Sequence, residues 1–209
     1  MKISPNIISK KNTCVEWSAV NFPIKGEKVT GDDYLVISHN NQVLVSAVDA
    51  LGHGEEAKKV SQKALKSLKS FKNESLIYLV NHCHAELRGT RGVVMSMAVF
   101  DCSEDSMAWI GVGNVEGILF RAQGDKNKIE ENILLRGGVV GYKLPPLKAS
   151  IVSVLPGDIL IFTTDGVSYR YSDQININRS TEEIVQFIAS NYVDFSDDSQ
   201  ILVARYTGG

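Results

Sequence analysis

Acidic residues fall at the ends of four apolar runs of the chain. Asp32 lies just before the run YLVIS, and Asp49 directly follows VLVSAV. Asp165 directly follows ILIFTT, and Asp197 lies just before ILVARY. Each run has the length and composition of a buried β-strand, and strands of a sheet can bring their ends together. The acids therefore define a candidate site, although they are far apart in the sequence.

Several carboxylates at one place repel one another unless a cation neutralises them or some are protonated. A ligand set made only of oxygen atoms suits Mg²⁺ or Mn²⁺ rather than zinc. Two such ions can activate water and polarise a phosphoryl group. Any one of these clusters could still be an ordinary turn, because Asp and Gly are common turn residues.

The elements that must position these acids follow from hydrophobic periodicity. Asn40 and Asn41 indicate a hairpin turn between the first two predicted strands. Ser180 and Glu183 have the spacing of a capping box and predict the start of a helix that ends near residue 191. The remaining predicted helices cover 57–71 and 74–87, and the predicted strands cover 34–38, 42–48, 93–100, 107–112, 117–121, 132–135, 149–154, 159–163 and 200–206.

Strands and helices are segregated in this order, which predicts an α+β fold with a two-sheet core and helices packed outside. The chain has 209 residues and a net charge of −2, so we expect a single domain over residues 1–209. The near-neutral charge gives no indication of nucleic acid or an anionic membrane as partner. Three scattered cysteines and no apolar leader predict reduced thiols and a cytoplasmic location.

Seven short motifs, in this order, resemble those of the metal-dependent type 2C (PPM) serine/threonine phosphatases. The resemblance is to the SpoIIE-like branch, and within it to the small RsbX-type phosphatases of stressosome signalling. The motifs are GDD at 31–33, DALGHG at 49–54, RGVVMSMAVFD at 91–101, VGN at 112–114, GGVVGY at 137–142, TTDG at 163–166 and DDS at 197–199.

The resemblance implies a β-sandwich flanked by helices, in four αββα layers, with two Mn²⁺ or Mg²⁺ ions at one edge. It implies that Asp49 bridges both ions and that Asp32 lies on the side of the second ion, so these two are the catalytic candidates. The carbonyl of Ala50 would be a further ligand, and Asp165 and Asp197 would bind the first ion. The implied reaction is direct in-line attack of water on phosphoserine or phosphothreonine, without a phosphoenzyme. The implied substrates are phosphorylated stressosome proteins.

Departures from the family pattern leave a second function open. Ala50 stands where the family usually has Gly, and a positive φ there would cost about 1 kcal/mol. Glu116 stands where relatives often carry a basic or neutral residue. The alternative is therefore a phosphatase-like protein that has lost turnover and regulates a partner by docking. A glycosidase with paired acids is a weaker alternative, because it leaves the other strand-end acids unexplained.

Further polar residues are candidates for contact with phosphate. His53 lies in the DALGHG turn, although Leu51 occupies the position where animal and plant type 2C enzymes carry a histidine. Guanidinium groups bind phosphate in a bidentate manner, which makes arginines candidates, although a solvated surface arginine is the more common case for any one of them. The candidates are Arg88, Arg91 and Arg136.

Overall fold

The computed structural model describes residues 6–70, 72, 74–122 and 130–209. The strands in this part of the chain are β1 Ile8–Asn12, β2 Val15–Phe22, β3 Asp33–His39, β4 Gln42–Ala50, β5 Val93–Asp101, β6 Ser106–Val112, β7 Glu116–Phe120, β8 Glu130–Asn132, β9 Leu135–Arg136, β10 Ser150–Ser153, β11 Ile159–Thr163 and β12 Ser199–Tyr206. The helices are α1 Gly54–Leu68, α2 Leu76–Glu86, α3 Thr181–Tyr192 and a 3-10 helix Tyr169–Gln174.

The strands form two sheets. The first has the antiparallel order β1-β2-β12-β11-β7-β8, so the last strand of the chain lies in its interior between β2 and β11. The second has the order β10-β6-β5-β4-β3, and the short β9 pairs in parallel with β6. The positions of Asp32 and Asp49 therefore belong to the second sheet, and those of Asp165 and Asp197 to the first.

Three apolar layers hold the sheets and helices together. Between the sheets, Trp17 and Phe162 of the first pack with Phe100 and Trp109 of the second. Helices α1 and α2 cover the outer face of the second sheet, and α3 covers the outer face of the first. This is the expected four-layer αββα sandwich, and the α+β prediction is confirmed.

Local signals for turns and caps are confirmed. Asn40, between β3 and β4, has a φ of 51°, which is the positive value that the predicted hairpin needs. The Ser180 side chain accepts a hydrogen bond from the backbone N–H of Glu183, and the Glu183 side chain completes the capping box. Helix α1 begins at Gly54, earlier than the predicted residue 57, because the turn after Asp49 leads directly into it.

The strand predictions are wrong at two places. Strands β1 and β2 have no counterpart in the prediction, and β1 is an exposed edge strand rich in lysine. The strand predicted over 132–135 does not form as one element. The chain instead leaves β8 at Asn132 and starts β9 at Leu135, and these two strands belong to different sheets. Residues that pass from one sheet to the other show no hydrophobic periodicity, so the sequence does not reveal where the strand is interrupted.

The prediction of reduced thiols is also wrong. Cys14 and Cys102 form a disulfide, whereas Cys83 is free and buried in the layer beneath α2. Cys14 directly precedes β2 and Cys102 directly follows β5, so the bond joins the two sheets. The two cysteines are 88 residues apart in the sequence, and their proximity arises only from the stacking of the sheets. None of the helices in the described ranges is long and apolar enough to cross a lipid bilayer.

Candidate metal centre

The two sheets present their acidic strand ends at the same edge of the sandwich. Asp32 directly precedes β3 and Asp49 lies in β4, while Asp165 follows β11 and Asp197 precedes β12. Asp49 is close enough to Asp165 and Asp197 for both to raise its pKa. The structure therefore brings together all four acids that the sequence singled out.

Asp32 is the most buried of these acids, with 1% of its surface exposed. The Thr164 hydroxyl donates a hydrogen bond of 2.7 Å to Oδ2 of Asp32. The same hydroxyl accepts one of 2.8 Å from the backbone N–H of Gln200. The Asn21 side-chain amide donates to the main-chain carbonyl of Asp32 at 3.0 Å. Asp32 is thus oriented by β2, β11 and β12, which all belong to the opposite sheet.

Crowding changes the protonation of Asp32 and Asp49. Burial, and then the charges of Asp165 and Asp197, raise the pKa of Asp49 to about 7. Burial and the charge of Asp49 hold the pKa of Asp32 well above its ordinary value. A side-chain hydrogen bond with Asp32 acts on Asp49 in the opposite direction. Both shifts favour the protonated form of these carboxyl groups while no cation is present.

Asp165 and Asp197 lie at the open side of the site. Both are exposed. The Asn114 side-chain amide donates to Oδ2 of Asp165 at 2.7 Å. Oδ1 of Asp197 accepts a hydrogen bond of 2.8 Å from the backbone N–H of Asp198. Each of these carboxylates is therefore held through one oxygen atom by a neighbouring loop.

Asp198 has a different position from its neighbour Asp197. It is buried, with 4% of its surface exposed, and both of its oxygen atoms accept backbone hydrogen bonds. Oδ1 accepts from Ile24 at 2.7 Å, and Oδ2 accepts from Gly31 at 2.6 Å. Through these hydrogen bonds, Asp198 connects the start of β12 to the segment that precedes Asp32.

Two glycines permit close packing around the acids. A Cβ atom at Gly31 would lie 2.6 Å from the Cβ of Ala57 in α1. A Cβ atom at Gly166 would lie 2.2 Å from the main-chain carbonyl oxygen of Asp198. Both distances are shorter than non-bonded carbon contacts allow. The GDD and TTDG motifs therefore need glycine for space.

The strain expected at Ala50 does not occur. Ala50 is the last residue of β4, pairs with Val93 of β5 and is not among the described residues with positive φ. The left-handed conformations fall instead on Gly52 and Gly54, with φ values of 83° and 72°. In the turn after Asp49, the positive φ values therefore lie at glycine residues, and alanine at position 50 is not strained.

The other candidate residues lie around this site with separate roles. Nδ1 of His53 lies 2.9 Å from Oε1 of Glu27 in an exposed pair. Nη1 of Arg91 donates to the carbonyl oxygen of Leu51 at 3.0 Å, so this arginine braces the turn after Asp49. Arg88 is exposed, and Arg136 is half-buried with an Nε atom that has no hydrogen-bond partner in the described structure.

The donor chemistry of the site fits hard divalent cations. Its carboxylates supply only oxygen ligands, and none of the ion pairs among the described residues involves Asp32, Asp49, Asp165 or Asp197. No set of three or more acidic, histidine or cysteine side chains in the described ranges is arranged to bind an ion as it stands. A cation at this site would compete with protons for the carboxylates of Asp32 and Asp49.

Sequence reasoning missed the residues that orient the acids. Thr164 could have been found from strand alternation, because it follows Phe162 at a spacing of two and shares its inward direction. Asn21 and Gln200 carry no such signal, although they are direct partners in the register of β2 and β12. Oδ1 of Asn21 and both side-chain polar atoms of Gln200 are buried without a partner in the described structure.

Two facing sheets with outer helices and acids at one edge define the architecture of a type 2C phosphatase domain. Residues 39–206 match the family described as Stage II sporulation protein E (SpoIIE). The match covers most of the chain, and the protein belongs to this family.

Individual relatives agree with this assignment. The chain is 21% identical over 182 residues to "Phosphoserine phosphatase RsbX" of Bacillus subtilis (strain 168), covering 87% of this chain and 89% of the relative. The crystal structure of RsbX in complex with magnesium superimposes with a TM-score of 0.86 at 19% identity, covering 96% of this chain and all 100% of that one. A structure from a study of the bacterial stressosome, a modular system adapted to control secondary messenger signalling, has a TM-score of 0.83 at 29% identity and covers 91% and 99% of the two chains.

Proposed function

We propose that the protein is a metal-dependent protein phosphatase that hydrolyses phosphoserine or phosphothreonine on a signalling protein. The observation that carries this proposal is the convergence of Asp32, Asp49, Asp165 and Asp197 from two sheets at one edge of the sandwich. Shared cations would neutralise the repulsion between carboxylates that are crowded in this way. Membership of the SpoIIE family supports the same class of enzyme.

The proposed ligands are those that the family resemblance implies. Asp49 would lie between two Mn²⁺ or Mg²⁺ ions, with Asp32 and the carbonyl of Ala50 toward one ion and Asp165 and Asp197 toward the other. Such a pair of ions supplies an activated water and neutralises charge on the phosphoryl oxygens. The chain's own contribution is to fix the carboxylates, through Thr164 for Asp32 and Asn114 for Asp165.

The substrate proposed is a phosphorylated stressosome component, and the proposed location is the cytoplasm. The support is the similarity to a phosphatase named RsbX and to a structure from the stressosome study, each over most of both chains. Residues 1–209 would act as one catalytic domain. The docking alternative is not favoured, because each proposed carboxylate is present and position 50 carries no positive φ.

The test is hydrolysis of a phosphoserine protein with and without divalent metal. We expect activity with Mn²⁺ or Mg²⁺, loss of activity in excess EDTA, and recovery when the metal is restored. Asp49→Asn should be inactive at every metal concentration, whereas Asp173→Asn, an exposed change in the 3-10 helix, should behave as wild type. Full activity after verified removal of metal would contradict the proposal.

A further inference from the structure

A cleft of about 350 Å³ lies between β7, the segment from β8 to β9 and the 3-10 helix, near the candidate metal centre. Glu116 of β7 and Asn132 of β8 supply polar groups, and Tyr169 of the 3-10 helix forms one wall. The buried side chains of Ile118 and Ile133 line it as well. We call this feature the Glu116 cleft. Its volume lies in the range of small ligand sites.

No residue in the described part of the chain supplies a counter-charge to Glu116. Its carboxylate makes no hydrogen bond and no ion pair with the described residues. The residue is half-buried, and burial alone raises the pKa of its carboxyl group. A partly buried carboxylate without a counter-charge is unfavourable, and it becomes favourable when a cation enters the cleft.

The cleft lies next to the acids of the metal centre. Glu116 pairs with Thr163 across β7 and β11, and Asp165 is two residues beyond Thr163. On the other strand, Asn114 is two residues before Glu116 and contacts Asp165 directly at 2.7 Å. Two residues of a strand span about 7 Å. An extended peptide advances about 3.3–3.6 Å per residue, so a side chain two or three residues from a bound phosphoserine reaches this distance.

The composition of the cleft matches a long basic side chain. Its isoleucine wall suits the methylene stem of arginine or lysine, and the Glu116 carboxylate suits the charged end. The exposed ring of Tyr169 offers a face for a cation–π contact. A phosphate or an acidic side chain would instead be repelled by Glu116, which excludes an anionic occupant.

We infer that the Glu116 cleft binds an arginine or lysine side chain of the substrate protein, located two or three residues from its phosphorylated serine or threonine. This inference rests on the proposed function, because it places the phosphorylated residue at the metal centre. It gives the site a preference for a basic flanking residue, which no acid of the metal centre could itself provide.

The experiment measures binding before turnover. Fluorescent peptides carry a non-hydrolysable phosphonate analogue of phosphoserine, and one flanking position at a time is set to Arg, Lys or Gln. At one or two positions we expect the wild type, with Mg²⁺, to bind the basic peptides about fivefold more tightly than the Gln peptide. Glu116→Gln should abolish that preference, and Glu116→Arg should reverse it toward a peptide with Glu at the same position.

The matched control is Glu104→Gln, since Glu104 is exposed in the turn between β5 and β6 at the far end of the second sheet. It should keep the wild-type preference. Circular dichroism and the thermal midpoint establish that each variant is folded. Equal binding of Arg, Lys and Gln peptides by the wild type, or a preference that persists in Glu116→Gln, would overturn the inference.

A separate assay distinguishes failure of the proposed function. Hydrolysis of p-nitrophenyl phosphate with Mn²⁺ tests the metal centre without any flanking residue, and the control Glu104→Gln should leave it unchanged. A wild type that hydrolyses neither this compound nor any phosphoprotein contradicts the phosphatase proposal. In that case the peptide-binding assay still measures the preference for a basic side chain and its dependence on Glu116.

Discussion

The two sides of the Asp32 carboxyl group face different surroundings. Oδ2 accepts a hydrogen bond from the Thr164 hydroxyl of the opposite sheet, and the carboxyl group interacts electrostatically with that of Asp49. Thr164 in turn is fixed by the backbone of Gln200. The Thr164 hydroxyl accepts one hydrogen bond from Gln200 and donates the other to Asp32, so its orientation is fixed. This threonine therefore determines the orientation of the Asp32 carboxyl group toward the other acids.

Replacing Thr164 by Val should therefore weaken metal binding without unfolding the protein. Valine has nearly the same shape but neither donates to Asp32 nor accepts from Gln200. We expect a loss of roughly tenfold in Mn²⁺ affinity by titration calorimetry, as for other residues that orient metal ligands. Thr164→Ser should restore most of it.

The neighbouring Thr163 provides a control for that change. It is equally buried in the same strand but faces the other side of the sheet, where its hydroxyl lies 3.4 Å from that of Tyr171. Thr163→Val should leave Mn²⁺ affinity unchanged. Equal affinities for wild type and Thr164→Val would mean that Asp32 is oriented by its burial alone.

At the scale of elements, the centre depends on the junctions where strands end. The end of β11 carries Asp165 and the start of β12 carries Asp197, and these two strands are neighbours in the first sheet. Asp198 connects the same start of β12 to Ile24 and Gly31, which lead into β3. A displacement of β12 would therefore move proposed ligands on both sides of the site.

Asp165 and Asp197 should act as one unit if they share an ion. We expect Asp165→Asn and Asp197→Asn each to reduce Mn²⁺ affinity and turnover strongly, and the double variant to be little worse than either single variant. Residues that act together are non-additive in this way. A double-mutant cycle that reads affinity and turnover would show this, and independent, additive losses would contradict the shared ion.

Most of these strand-end positions could be predicted from sequence, because each acid adjoins an apolar run with a clear period. The connections between layers could not. The disulfide between Cys14 and Cys102, the pairing of β2 with β12 and the contact of Asp198 with Gly31 each join distant segments. Such contacts depend on the stacking of the sheets, which leaves no local pattern in the chain.

At the scale of the whole molecule, the acidic edge opposes the stability of the metal-free fold. Asp49 has a pKa of about 7 in the folded protein against an ordinary value of 3.8. Between these values the folded state keeps a proton that the unfolded state has lost. The free energy of unfolding therefore falls as pH rises through this window. The contribution of Asp49 to that fall ends once the pH exceeds the pKa of about 7 that Asp49 has in the folded protein.

Chemical denaturation in EDTA from pH 4 to pH 8 measures this effect. Asp49 should contribute a loss of at most about 1.4 kcal/mol per pH unit within the window. In Asp49→Asn that contribution should be absent, and the difference between the two curves reports Asp49 together with the change that it causes in the pKa of Asp32. Saturating Mn²⁺ should reverse the trend, because the cation binds the deprotonated form. Parallel curves for wild type and Asp49→Asn would contradict the assignment.

The interior location of β12 has a consequence for how the protein is made. Its partner β2 precedes it along the chain and leaves the ribosome well before it, because all the other described strands except β1 are synthesised between the two. Until β12 inserts between β2 and β11, each of these two strands has one unpaired edge, and neither Asp197 nor Asp198 is in place. Contacts between such distant segments make folding slow. We therefore expect the four acids to come together only after β12 has inserted, so that a chain synthesised only as far as β11 lacks a working site.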